Sequence, residues 1–126
     1  MGKIFGHRGL PHIYRENSIT GLNKAFEYCD YVETDVRITA DNNLILFHDP
    51  DINGQFINEL STEEILNKLN DVEKDELILS SRDQIDGKVN FEIKTNSLEK
   101  TQIDILFQKM LSILSPQDIV TSFNWK

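Results

Sequence analysis

The stretch from Tyr31 to Asp49 sets the tightest limit on the fold, because it puts a charged side chain at every second position of a strand. Val32, Thr34, Val36 and Ile38 fall on one face, and Glu33, Asp35 and Arg37 on the other, since successive side chains point to opposite sides. Two carboxylates then stand about 7 Å apart on one face. A turn at Ala40-Asp41-Asn42-Asn43 leads into the apolar run Leu44-Ile45-Leu46-Phe47, which ends at His48-Asp49. A hairpin centred on Asp41-Asn42 places His48 opposite Asp35. The segment from Val89 to Lys94 repeats the pattern, with Val89, Phe91 and Ile93 on one face and Asn90, Glu92 and Lys94 on the other.

Around these two strands the chain alternates strands with helices. Lys3 to Gly6 reads as a short strand that stops at the turn His7-Arg8-Gly9. Asn17 or Ser18 can cap a helix in which Ile19, Leu22, Ala25, Phe26 and Cys29 recur at helical spacing, with Cys29 on the core side. Pro50 to Gly54 reads as loop, and Ser61 and Glu64 stand at capping-box spacing ahead of Ile65, Leu66 and Leu69. Leu77-Ile78-Leu79 is an apolar patch that packs on the core or forms a short extra strand. Leu98 to Leu114 has helical spacing and is stopped by Pro116, and Ile119 to Phe123 is a final strand. This order predicts an α/β domain of parallel strands covered by helices. Both faces of such a sheet are normally apolar. A face carrying Glu33, Asp35, Glu92 and Lys94, with His7 at the end of the first strand, therefore marks a functional site.

The 126 residues, 39% hydrophobic and 27% charged, suit one domain over 1–126 with one modest core. A net charge of -8 and the lack of any Lys/Arg cluster argue against a nucleic-acid partner. The single cysteine excludes an internal disulfide framework and a thiolate metal cage. No run approaches the ~18 apolar residues of a membrane span. Met1 to Phe5 lacks the apolar stretch of a signal peptide, and Gly6 stands where a myristoylation signal wants Ser or Thr. The expectation is a soluble, cytoplasmic protein.

Glu33, Asp35 and Glu92 would make an all-oxygen, hard-ligand set that suits Mg2+ or Ca2+ and not zinc. The plainer reading is solvated acids on a sheet with one wet face. His7 and His48 at strand ends titrate near neutrality, so one can act as general base and the other as general acid, or each is a hydrogen-bonded structural residue. Arg8 and Lys94 supply the positive charge an anionic substrate such as a phosphodiester needs, or else form salt bridges to the same acids. Asn17 either belongs to the helix start or reaches back to the site. His12 reads as exposed loop, and Trp125 stands near a terminus.

In this order, His7-Arg8-Gly9, Glu16-Asn17-Ser18, Glu33-Thr34-Asp35-Val36, His48-Asp49, Phe91-Glu92-Ile93-Lys94 and Ser122-Phe123-Asn124 resemble the glycerophosphodiester phosphodiesterase family. The resemblance spans essentially the whole chain. It implies a TIM-type barrel, with parallel strands and helices outside, and a divalent cation held by Glu33, Asp35 and Glu92. It also implies that His7 and His48 are the acid-base pair and that Arg8 and Lys94 contact the phosphate. In the implied reaction a substrate hydroxyl next to the phosphate attacks phosphorus, one histidine takes its proton, and the other protonates the leaving alcohol. Hydrolysis of the cyclic phosphate then yields glycerol 3-phosphate.

A TIM barrel typically needs ~250 residues, so the resemblance covers about half of one, roughly four strand-helix units. An open half-barrel leaves sheet edges and an inner surface uncovered. The expectation is self-association, with two halves closing an eight-stranded barrel, or a missing C-terminal half. Two other readings stand beside metal-dependent hydrolysis of a glycerophosphodiester. One is a degenerate half-barrel that serves as a binding or assembly module, and the other is a related enzyme acting on lipid phosphodiesters.

Overall fold

Two of the helices start at serine caps. The computed structural model describes residues 5–7, 17–70, 72–95 and 97–123. After strand β1 (Phe5–His7), the Ser18 hydroxyl accepts a hydrogen bond from the Gly21 amide at 3.1 Å and opens helix α1 (Ile19–Ala25). Ile19, Leu22 and Ala25 of α1 are buried. The helix stops at Ala25 and the chain turns, so Cys29 lies beyond it, half-buried, and not on its core stripe as predicted. Strands β2 (Tyr31–Ile38) and β3 (Leu44–Leu46) follow. The segment read as loop after His48 instead folds into a small hairpin, β4 (Asp51–Ile52) with β5 (Gln55–Phe56). Its turn residues Asn53 and Gly54 both have positive φ, 51° and 88°, which an Asn-Gly pair tolerates.

Ser61 and Glu64 form the predicted capping box. The Ser61 hydroxyl accepts from the Glu64 amide, and the Glu64 carboxylate accepts from the Ser61 amide, opening α2 (Thr62–Leu69). The short helix α3 (Lys74–Leu77) leads into β6 (Ile78–Leu79), so the apolar patch at 77–79 both packs in the core and makes an extra strand. Strand β7 (Lys88–Lys94), helix α4 (Lys100–Ile113) and strand β8 (Ile119–Phe123) complete the described chain.

Among the described residues, β1, β2, β7 and β8 are parallel neighbours in that order. Departing from an all-parallel sheet, β3 and β6 add antiparallel strands beside the second half of β2. The apolar side chains of β2 and β7 make one face of this sheet. Val32, Val36, Ile38, Val89, Phe91 and Ile93 pack there with Leu22 and Ala25 of α1 and Leu106 and Met110 of α4. A second cluster joins Ile45 of β3 to Ile52, Ile57, Ile65 and Leu77. The face of β2 and β7 turned away from α1 and α4 carries Glu33, Asp35, Arg37, Asn90, Glu92 and Lys94, and the site is built on that face.

Candidate active site

Register brings the acids together. β2 and β7 pair with Asp35 beside Glu92 and Glu33 beside Asn90, and neighbouring strands lie about 4.8 Å apart. Asp35 is 2% exposed and needs partners. Asn17 supplies them. Its amide nitrogen donates to the Asp35 carboxylate at 3.2 Å, and its amide oxygen accepts from the Asp35 backbone N–H at 3.2 Å and from the Thr34 hydroxyl at 2.8 Å. Asn17 is fully buried with φ 60°, so it reaches back to the strand while Ser18 caps the helix. Lys94 Nζ lies 3.0 Å from the Glu92 carboxylate and 3.8 Å from that of Asp35. The salt bridges weighed for Lys94 thus form, and they hold an ammonium beside two carboxylates on one face.

The two carboxyl groups are shifted in opposite directions. Burial pushes the Asp35 carboxyl up, and the hydrogen bond to Glu92 adds to this, while Asn17 and the Lys94 charge oppose. Burial also pushes Glu92 up, but hydrogen bonds from Asp35 and Lys94, the Lys94 charge and the His48 charge outweigh it and leave Glu92 below its ordinary value.

The β2–β3 hairpin differs from prediction by one residue. It is centred on Asp41, so Val36 pairs with Leu46 and the Phe47 amide donates to the Asp35 carbonyl at 3.0 Å. The cause is local. Asp41 Oδ1 accepts from the Thr39 hydroxyl at 2.6 Å and from the Thr62 amide and hydroxyl at 3.0 Å, which draws Asp41 to the apex. Asn42 then takes a left-handed conformation, φ 64°, as in a three-residue hairpin loop. Phe47, and not His48, therefore faces Asp35. His48 lies past the end of β3, where its carbonyl accepts from Arg37 Nε at 3.1 Å and Nη2 at 2.5 Å. Its Nδ1 lies 2.8 Å from the Asp49 carboxylate.

Arg37 is a residue of this face to which the sequence reading assigned no role. It is 6% exposed, and burial pulls its guanidinium below the ordinary value against the charges of Asp35, Asp49, Glu92 and Asp51. Its position two residues after Asp35, on the same strand face, was the available signal.

The other residues singled out in the sequence are placed only in part. The backbone of His7 pairs beside Glu33, at the end of β1. Glu33 is half-buried on the polar face. Arg8, His12, Glu16, Asn124 and Trp125 lie outside the described residues. Among the described residues, no three His, Cys, Asp or Glu side chains stand together as a metal-binding group. The donor chemistry of the face nevertheless fits a hard dication. Asp35 and Glu92 stand side by side as oxygen donors, and the Asn90 side-chain oxygen is buried with no hydrogen-bond partner among the described residues.

Parallel strands with helices on one side and a polar, acid-rich face on the other define an α/β barrel of the TIM type, of which this chain forms part. The comparisons agree. Residues 7–98 match the Glycerophosphoryl diester phosphodiesterase family. The chain belongs to that family. It is 39% identical over 54 residues to a glycerophosphodiester phosphodiesterase of Bacillus altitudinis, a match covering 42% of this chain and 22% of that protein. A glycerophosphodiester phosphodiesterase structure from Thermotoga maritima superposes with a TM-score of 0.70 at 24% identity, covering 98% of this chain and 55% of the other. An Oleispira antarctica phosphodiesterase in complex with the product sn-glycerol-3-phosphate superposes with a TM-score of 0.72 at 20% identity, covering 99% and 59%. The chain thus spans little more than half of these solved relatives.

Proposed function

We propose that this chain carries the catalytic face of an enzyme that hydrolyses glycerophosphodiesters to glycerol 3-phosphate and an alcohol. The observation that carries the reading is the Asp35–Glu92 pair with Lys94 across β2 and β7, near His48, in a member of this family. The product bound to the Oleispira antarctica relative supports the same substrate class. Glu33, Asp35 and Glu92 would hold Mg2+ or Ca2+, which when bound would polarise the phosphoryl oxygens. Lys94, with Arg8, neutralises the phosphate charge. Of His7 and His48, one takes the proton of the attacking substrate hydroxyl as the P–O bond to it forms. The other gives a proton to the departing alcohol as its bond to phosphorus breaks. Water then opens the cyclic phosphate. Among the described residues no helix is long and apolar enough to cross a membrane, and we place the protein in the cytoplasm. The test is release of glycerol 3-phosphate from glycerophosphocholine in Mg2+ or Ca2+, which chelation should abolish and either ion restore. Release that persists in chelator removes the metal assignment, and faster release of choline from lysophosphatidylcholine than from glycerophosphocholine would move the substrate to lipids.

A second reading, an assembly module, rests on β8. Its partner among the described strands is β7, and Ile119 and Val120 are 42% and 37% exposed. Four parallel strands are half of an eight-stranded barrel. A second copy paired along β8 would cover this edge. Sedimentation equilibrium should give twice the chain mass, and a monomer at all concentrations would refute it.

A further inference from the structure

We infer that Arg37 is a positioning residue for His48, fixing where the imidazole stands over the polar face. The inference deepens the proposed function and rests on it for its catalytic meaning, although its geometric content stands alone. His48 lies beyond the last residue of β3, and among the described residues no sheet pairing holds it. Two guanidinium N–H groups of Arg37 converge on its carbonyl oxygen, from Nε at 3.1 Å and Nη2 at 2.5 Å. A carbonyl has two lone pairs, and both are taken by one rigid planar fork.

The fork itself is fixed at its base. Arg37 belongs to β2, pairs with Ile45 of β3, and lines one small cavity together with Pro50, Ile57 and Lys94. Its burial leaves little room for another rotamer. One rigid strand therefore carries Asp35 and, two residues on, the group that holds the His48 backbone. The His48 carbonyl is thereby tied to the strand that carries Asp35, next to the hairpin contact of the Phe47 amide with the Asp35 carbonyl. Asp49 completes the arrangement. A carboxylate only accepts, so Nδ1 of His48 carries the proton toward it, and Nε2 is the nitrogen free to exchange a proton with substrate.

Neither Lys nor Met at position 37 can reproduce the fork. Lysine keeps the charge but offers a point donor, and methionine keeps the volume without a donor. The test uses the full chain with Mg2+ and follows the imidazole Cε1–H resonance of His48 by NMR, identified as the one lost in His48→Gln. Arg37→Met should shift and broaden it, and Arg37→Lys should do so less. Leu106→Ala, a destabilising change in the α4 core, should leave it as in the wild type. In the same samples Arg37→Met should lower kcat by about 10²-fold with KM within about twofold, and guanidinium ion should restore part of the loss.

A His48 resonance unmoved in Arg37→Met overturns the inference. So does an unchanged kcat in a protein whose turnover His48→Ala removes. If the wild type shows no turnover, the functional reading fails, and the resonance alone decides whether Arg37 holds His48.

Discussion

His48→Ala should lower glycerol 3-phosphate release by about 10²–10⁴-fold, the usual contribution of a positioned acid or base, while the protein melts as the wild type does. The two outcomes separate because the contacts of His48 divide between ring and backbone. Its side chain is 35% exposed and makes its hydrogen bond to Asp49, itself at the surface. The contact that ties this loop to the sheet uses the carbonyl, which alanine retains. Loss of an exposed side chain away from the core typically changes stability by no more than about 0.5 kcal/mol. Turnover and thermal unfolding measured on one sample check both halves. Undiminished release would remove His48 from the chemistry, and a large drop in melting temperature would mean that the ring supports the fold.

Asp118→Ala should have the opposite profile, destabilising the protein by about 3–5 kcal/mol, as breaking a buried ion pair does. Asp118 stands at the other end of the sheet, just before β8, with its side chain 1% exposed. Its carboxylate accepts from Arg82 Nε and Nη2, both at 2.7 Å, and from the amides of Ser115 and Val89 at 2.9 and 3.3 Å. The bridge ties the 3-10 turn at Arg82–Gln84 to the start of β7 and β8. Without it Arg82, 18% exposed, keeps a charge with its main partner gone.

The pH dependence of that loss follows from the carboxyl group. Burial raises the Asp118 pKa, but the Arg82 hydrogen bonds, the Ser115 amide, the Arg82 charge and the Val89 amide outweigh it and hold the group below its ordinary value of 3.8. The unfolded chain then binds the extra proton as pH falls, so the stabilisation is complete above about pH 3.8 and disappears as pH drops through the folded value. Urea denaturation should therefore give a wide gap between wild type and Asp118→Ala at pH 7 and a gap that narrows steadily as pH is lowered below about 3.8. Equal gaps would mean that the charge of Asp118 is not what stabilises the fold.

Both sites show how far local rules reach. The capping box at Ser61 and Glu64, the β7 alternation and the end of α4 before Pro116 depend on neighbours three or four residues away, and they form as the spacing predicts. The hairpin centre depends on Thr62, which lies 21 residues beyond Asp41 and pulls it to the apex, so the register moved by one. The Asn53-Gly54 turn carried a hairpin signal, but the strands flanking it are only two residues each, too short for alternation to be read. Cys29 kept its helical spacing from Ala25 while the helix itself ended.

By itself the sequence determined which residues share a face, because alternation along a strand is a property of the backbone. Glu33, Asp35 and Arg37 stand on one side of β2, and Asn90, Glu92 and Lys94 on one side of β7, wherever those strands are placed. Only the tertiary structure decided which of these groups meet. Parallel pairing set Asp35 beside Glu92 and shifted their carboxyl groups in opposite directions. A buried Asn17 from outside the strand donated to one Asp35 oxygen, and Arg37 bound the carbonyl of His48. Contacts between segments far apart in the chain carry no local signature, since their partners are chosen by the register and burial of the assembled sheet.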